Sequence, residues 1–130
     1  MHSSSPPSPK RGEIWMVNFE PQVGQEMRKL RPACVISLDV IGKLPLRIVA
    51  PITEWDERYA TSPWFVRLKP TAVNGLSKES GADGFQVKSV SVQRFVKRMG
   101  NVSKDTCDEI AAAVALCVGF TSPDEARNSG

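Results

Sequence analysis

Residues 24–32, Gly-Gln-Glu-Met-Arg-Lys-Leu-Arg-Pro, place three cations and one carboxylate within the six positions from Glu26 to Arg31, between two apolar runs. A loop that only joins strands has no use for that charge. Guanidinium and ammonium groups at this density suit a polyanion, and a guanidinium fork matches phosphate oxygens two at a time. Pro32 holds the residue before it extended, so Arg31 stands on a stiff stem at the mouth of the apolar run 32–38.

The residues that are missing narrow the chemistry. The only histidine, His2, lies in the N-terminal tail, so paired-imidazole ribonuclease chemistry and a Ser/His/Asp hydrolase are excluded. No Cys-x-x-Cys spacing occurs among Cys34, Cys107 and Cys117, which argues against a zinc site. The dense acidic group Glu54, Asp56 and Glu57 falls in a loop with Trp55 and Arg58, a poor setting for paired metals. No cofactor or metal is expected. RNA suits such a site because its 2′-hydroxyl is a tethered nucleophile. The protein need only orient that hydroxyl, assist proton movement and stabilise charge on the crowded phosphorane. An arginine fork beside a threonine hydroxyl fits charge stabilisation, whereas an arginine with its pKa above about 12 is a poor general base.

Bulk properties agree with a small soluble domain. The chain has 130 residues, 41% hydrophobic and 24% charged, enough for one core. Residues 1–100 carry 15 Lys/Arg against 9 Asp/Glu, and residues 101–130 carry 2 against 5, so the basic excess belongs to the body. The longest apolar run, 110–118, is far shorter than the roughly 20 residues that span a bilayer, and no apolar leader precedes the body. A cytoplasmic protein without a membrane partner is expected. The three thiols read as buried small residues.

The elements that must position these groups are short strands. Residues 11–20 alternate, with Ile14 and Met16 on one side and Trp15, Val17 and Phe19 on the other. Strands follow at 32–38, 46–53, 64–68, 85–92 and 95–99, and Pro51 must break the ladder near its position. Residues 70–84 read as a long surface loop. In the 85–92 run, Phe85 and Val87 share one side, while Gln86 and Lys88 point outward as solvated residues or nucleic-acid contacts. A C-terminal helix begins after the cap Ser103, with Cys107, Ile110, Ala111, Val114, Cys117 and Val118 in one stripe and Ala112, Ala113 and Leu116 opposite. Such a helix either packs on a second subunit or plugs a barrel. A polar tail over 1–10, a body over 11–120 and a flexible tail over 121–130 complete the division. Without βαβ rhythm, the class is mainly β with a C-terminal α-helix, a small antiparallel barrel.

The segments Arg11-Gly12-Glu13-Ile14-Trp15, Gly24-Gln25-Glu26, Arg31-Pro32-Ala33, Ala50-Pro51-Ile52-Thr53 and Gln86-Val87-Lys88-Ser89-Val90, in this order and spacing, resemble the MazF/PemK toxins. The resemblance covers about residues 11–120. It implies an SH3-like barrel, a homodimer, and metal-independent cleavage of single-stranded mRNA leaving 2′,3′-cyclic phosphate and 5′-hydroxyl ends. It also implies neutralisation by a MazE-like antitoxin. The family's catalytic arginine falls on Arg31, its strand-closing threonine on Thr53 and its loop glutamate on Glu26. Arg28, Lys29, Gln86 and Lys88 become candidate RNA contacts. The chain departs from the family pattern at Met27, at Arg28-Lys29 and at Phe85, where an acidic residue is common. Two alternatives stay open: a non-catalytic barrel that poisons a topoisomerase, and a degenerate member that only binds RNA or antitoxin.

Overall fold

The computed structural model describes residues 7–19 and 30–120. Seven antiparallel strands, β1 (Glu13–Asn18), β2 (Leu30–Val35), β3 (Leu46–Glu54), β4 (Phe65–Leu68), β5 (Ser80–Asp83), β6 (Lys88–Ser91) and β7 (Phe95–Asn101), precede one helix, α1 (Lys104–Cys117). The strand order is β4-β5-β3-β2-β1-β7, with β6 also paired to β3. The sheet curls into a barrel-like form without closing on itself. β3 is its hinge. Its first four residues pair with β6, its middle (Val49, Ala50 and Pro51) with β2 and its last three with β5, and pairing with β2 ends at Ala33↔Pro51. A proline has no N–H to give a further ladder bond, so the strand changes partners there.

Alternation gives the sheet two apolar faces. Ile14, Cys34, Ala50 and Ile52 pack with Leu68, Leu76, Cys107 and Ile110 under α1. Val17, Ala33, Val35 and Val49 pack with Val90 and Phe95 on the other side, with Trp15 and Phe19 against them. A period of two assigns each residue of β1, β2 and β3 to one core or the other.

The strand boundaries differ from the sequence expectation in instructive ways. β2 begins at Leu30, so Arg31 is paired within the strand, opposite Val17, and does not stand ahead of it. The stretch read as a long loop contains β5, whose four residues Ser-Gly-Ala-Asp are all buried and so show no alternation. A Cβ on Gly81 would lie 3.1 Å from the Trp55 ring and 3.2 Å from the Phe65 ring, so only a small residue fits beneath those aromatics. The run expected as one strand over 85–92 is a 3-10 turn at Gly84–Gln86 followed by β6. Asp83 makes that turn by accepting a hydrogen bond from the Phe85 amide at 2.9 Å. Pro9, assigned by sequence to the tail, is a fully buried side chain, and its carbonyl accepts from Arg47 Nε at 2.9 Å.

Helix α1 starts where expected. Ser103 Oγ accepts from the Thr106 amide at 3.1 Å, and Asp105 sits in the first turn. It ends in a Schellman pattern, with Gly119 at φ 75°, Gly119 N donating to Leu116 O and Phe120 N to Ala115 O. Its buried side is Cys107, Ile110 and Ala113, with Val114 packed beside them. Ala113 is thus inward, and Val118, placed on the apolar stripe by sequence, is exposed. Cys34 and Cys107 are buried as expected, whereas Cys117 is only half-buried. The Cys107 contact and burial together hold the Cys34 thiol well above its usual range. Among the described residues no helix is long and apolar enough to cross a membrane.

Candidate active site

Arg31 belongs to the face of β2 that carries Ala33 and Val35, and Thr53 to the face of β3 that carries Val49 and Pro51. The register Val35↔Val49, Ala33↔Pro51, extended by one step on that face, sets Arg31 across from Thr53. Below Ala33 and Pro51 the face is dry core. Beyond them the two strands part, because β3 has turned to β5, and the space between them is open. Strand divergence therefore makes the groove, and two polar residues stand where the apolar rows end.

Arg31 is exposed and Thr53 half-buried. Among the described residues no hydrogen bond or ion pair engages the Arg31 guanidinium. Three cavities meet at this arginine. The largest, about 590 Å³, has Arg31, Pro51 and Thr53 on one side and Tyr59, Trp64, Phe65 and Phe85 on the other, with Asp83 and Gln86 completing it. A second, about 300 Å³, runs from Arg31 and Thr53 past Ser77, Lys78 and Ser80. A third, about 270 Å³, joins Arg31 to Phe19, Gln86 and Lys88. Lys88 Nζ stands 5.3 Å from the centre of the Phe19 ring, which holds a cation at the rim. The three form a groove with a guanidinium at its centre, a hydroxyl beside it and an ammonium toward each end, the charge order of a phosphodiester track.

Of the residues expected from sequence, the structure brings Arg31, Thr53, Gln86 and Lys88 to this groove. Glu26, Arg28 and Lys29 lie outside the described residues. Of the acidic group of the 54–57 loop, Asp56 pairs with Arg58 at 2.9 Å and Glu57 accepts from Trp55 Nε1 at 3.1 Å, while Glu54 lines the second cavity and pairs there with Lys78 at 3.3 Å. The hydrogen bond from Arg58 holds the Asp56 carboxyl below its usual range. Trp55, in the same loop, lies under Arg67, whose guanidinium carbon is 4.7 Å from its ring centre. Trp64 lines the groove. Sequence reasoning also missed Tyr59, Phe65, Asp83 and Phe85. The available signal was Gly84-Phe85, a large apolar residue directly after a turn-forming glycine.

The architecture is that of a small half-open antiparallel β-barrel with a C-terminal helix, and comparison with known proteins narrows the class. Residues 10–118 match the family described as PemK-like, MazF-like toxin of type II toxin-antitoxin system. The chain is 30% identical over 113 residues to endoribonuclease MazF9 of Mycobacterium tuberculosis, covering 82% of this chain and 93% of that protein. It is 30% identical over 104 residues to the endoribonuclease toxin ChpB of Escherichia coli, covering 77% and 85%. The crystal structure of MazF from Deinococcus radiodurans superposes with a TM-score of 0.68 at 24% identity, over 87% of this chain and 98% of that one. A mycobacterial endoribonuclease solved in complex with its cognate antitoxin superposes with a TM-score of 0.67 at 16% identity, over 88% and 99%. The chain belongs to the PemK/MazF-like toxin family.

Proposed function

We propose that this protein is a sequence-specific, ribosome-independent endoribonuclease toxin that cleaves single-stranded mRNA in the cytoplasm without a metal and is neutralised by a MazE-like antitoxin. The observation that carries the proposal is the convergence of a guanidinium and a hydroxyl, Arg31 and Thr53, on one open groove. In the reaction, the ribose 2′-oxygen attacks the adjacent phosphorus and the bond from phosphorus to the 5′-oxygen breaks. The proton leaves the 2′-hydroxyl, the 5′-oxygen gains one, and the products end in a 2′,3′-cyclic phosphate and a 5′-hydroxyl. Arg31 stabilises the charge that accumulates on the non-bridging oxygens, and Thr53 holds the phosphate in line. Lys88, Gln86, Arg28 and Lys29 hold flanking nucleotides, and Glu26 assists proton movement.

The family relatives support the activity and the antitoxin. The exposed side chains Leu38, Val40, Ile41 and Leu44 of the β2–β3 connection, with Leu46 beside them on β3, support self-association as a homodimer. The deciding experiment incubates the protein with a long single-stranded RNA in excess EDTA and maps the ends. Cyclic phosphate and 5′-hydroxyl ends at a recurrent sequence are expected, with a 2′-deoxy substitution at the cut abolishing cleavage. Cleavage of the 2′-deoxy strand, or its loss with EDTA, would refute the mechanism.

A further inference from the structure

The largest part of the groove is more aromatic than a phosphate track needs. Phe85 keeps 65% of its surface exposed although it is a large apolar residue, and it borders the same cavity as Arg31 and Thr53. Tyr59 and Phe65 stack on each other, with centroids 3.8 Å apart and planes 4° apart, so they form a rigid wall. Trp64 meets Phe85 at 5.9 Å and 57°. A flat ring sandwiched between two others needs them roughly 7 Å apart, twice a van der Waals contact of about 3.5 Å. The Trp64–Phe85 gap is too narrow for that, which leaves the outer face of Phe85 as the free stacking surface. The cavity volume, about 590 Å³, falls within the range of about 300–1,000 Å³ that holds small-ligand groups.

The wall of this cavity also has a polarity. Asp83 is 8% exposed; one carboxylate oxygen accepts from the Phe85 amide, and the other has no hydrogen-bond partner among the described residues. A carboxylate only accepts, so it favours a base edge that presents an amine and disfavours uracil, whose N–H is flanked by two carbonyls.

We propose that this cavity is a nucleobase pocket next to the scissile phosphate: one base stacks on the open face of Phe85, and Asp83 selects a base bearing an exocyclic amino group. The inference rests on the ribonuclease reading for its place beside the cut, while Phe85 and Asp83 act as specificity residues and take no part in bond breaking. Continuity with Arg31 and Thr53 makes a nucleotide the occupant, in preference to a protein segment.

The test uses two readouts on the parent protein and on Phe85→Ala, Phe85→Trp and Asp83→Asn. One is the map of cut positions on a long single-stranded RNA. The other is affinity for mixed-sequence 2′-deoxy single strands, followed by tryptophan fluorescence, which works whether or not RNA is cut. Phe85→Ala should weaken binding about tenfold, the usual scale for losing one stacked base, and Phe85→Trp should restore it. Asp83→Asn keeps the oxygen that accepts from the Phe85 amide. It should leave affinity nearly unchanged while admitting uracil at one position near the cut. Melting curves matching the parent's exclude a folding defect, which the exposure of Phe85 makes improbable. Parental affinity and an unchanged cut map in Phe85→Ala would overturn the proposal. So would a Phe85→Ala variant that keeps its nucleic-acid affinity but loses an antitoxin peptide, since the pocket would then serve a protein. A parent that leaves RNA intact but binds 2′-deoxy strands in a Phe85-dependent way would sink the ribonuclease reading and keep the pocket.

Discussion

Replacing Arg31 by alanine removes the charge that, among the described residues, all three cavities share. A guanidinium at about 4 Å from an extra phosphate charge contributes about 4 kcal/mol at an effective dielectric of about 20. Water in the open groove lowers that, and removal of a single charge-stabilising donor ordinarily costs about 10²–10³ in rate. At about 1.4 kcal/mol per decade, the two figures agree. Arg31→Ala should therefore lower kcat/KM by about 10²–10³. Arg31→Lys keeps a charge but loses the two-pronged geometry, and should recover about half of that loss on a logarithmic scale. The side chain is exposed and has no partner among the described residues, so stability should change by no more than about 0.5 kcal/mol. The assay is initial-rate cleavage of a fluorophore–quencher RNA, with thermal melting as control. An alanine variant that cleaves within about threefold of the parent, or whose loss of activity tracks a lowered melting temperature, refutes the role given to Arg31.

Other expectations concern the frame that holds the groove. Arg47 is buried and donates to the carbonyls of Pro9, Leu44 and Leu46 at 2.8–2.9 Å; Arg47→Met should cost about 3 kcal/mol in chemical denaturation, because three carbonyls lose their donor. A Cβ on Gly100 would fall 2.2 Å from the Val73 carbonyl oxygen, so Gly100→Ala should destabilise by about 3 kcal/mol in the same assay. The hydrogen bond from Arg67 holds the Glu79 carboxyl below its ordinary value of 4.5. The stability it contributes is present at neutral pH and is lost as pH falls below 4.5. The parent should consequently lose more melting temperature than Glu79→Gln between about pH 5 and about pH 3. Half-buried Cys117 should react first with a thiol reagent, and Cys34 and Cys107 only at the rate of unfolding, as peptide mass mapping over time would show.

Period-two alternation was legible in β1, where adjacent side chains enter distinct cores, whereas Arg31, expected at the mouth of its strand, is paired within it. The change of partner at Pro51 was legible too, because a missing N–H is a property of the residue itself. β5 was not. Its small residues are chosen by the Trp55 and Phe65 rings above them, a tertiary demand without local period. For the same reason Phe85 read as the start of a strand, when Asp83 had already turned the chain. The aromatic side of the groove is assembled from β4, the turn before it and the turn after β5. No local window contains those pieces together.

The two-sided packing of β1 to β3 has a consequence for how this chain tolerates change in length. Because adjacent side chains in β2 feed opposite cores, one residue added between Arg31 and Val35 would send the guanidinium to the helix side and an aliphatic chain into the groove. One residue added between Ser77 and Lys78, both exposed, would lengthen a surface bend without moving either core. Drift in this lineage should accordingly accumulate insertions before β5 and almost none inside β2, a pattern that library selection of random single-codon insertions would reveal.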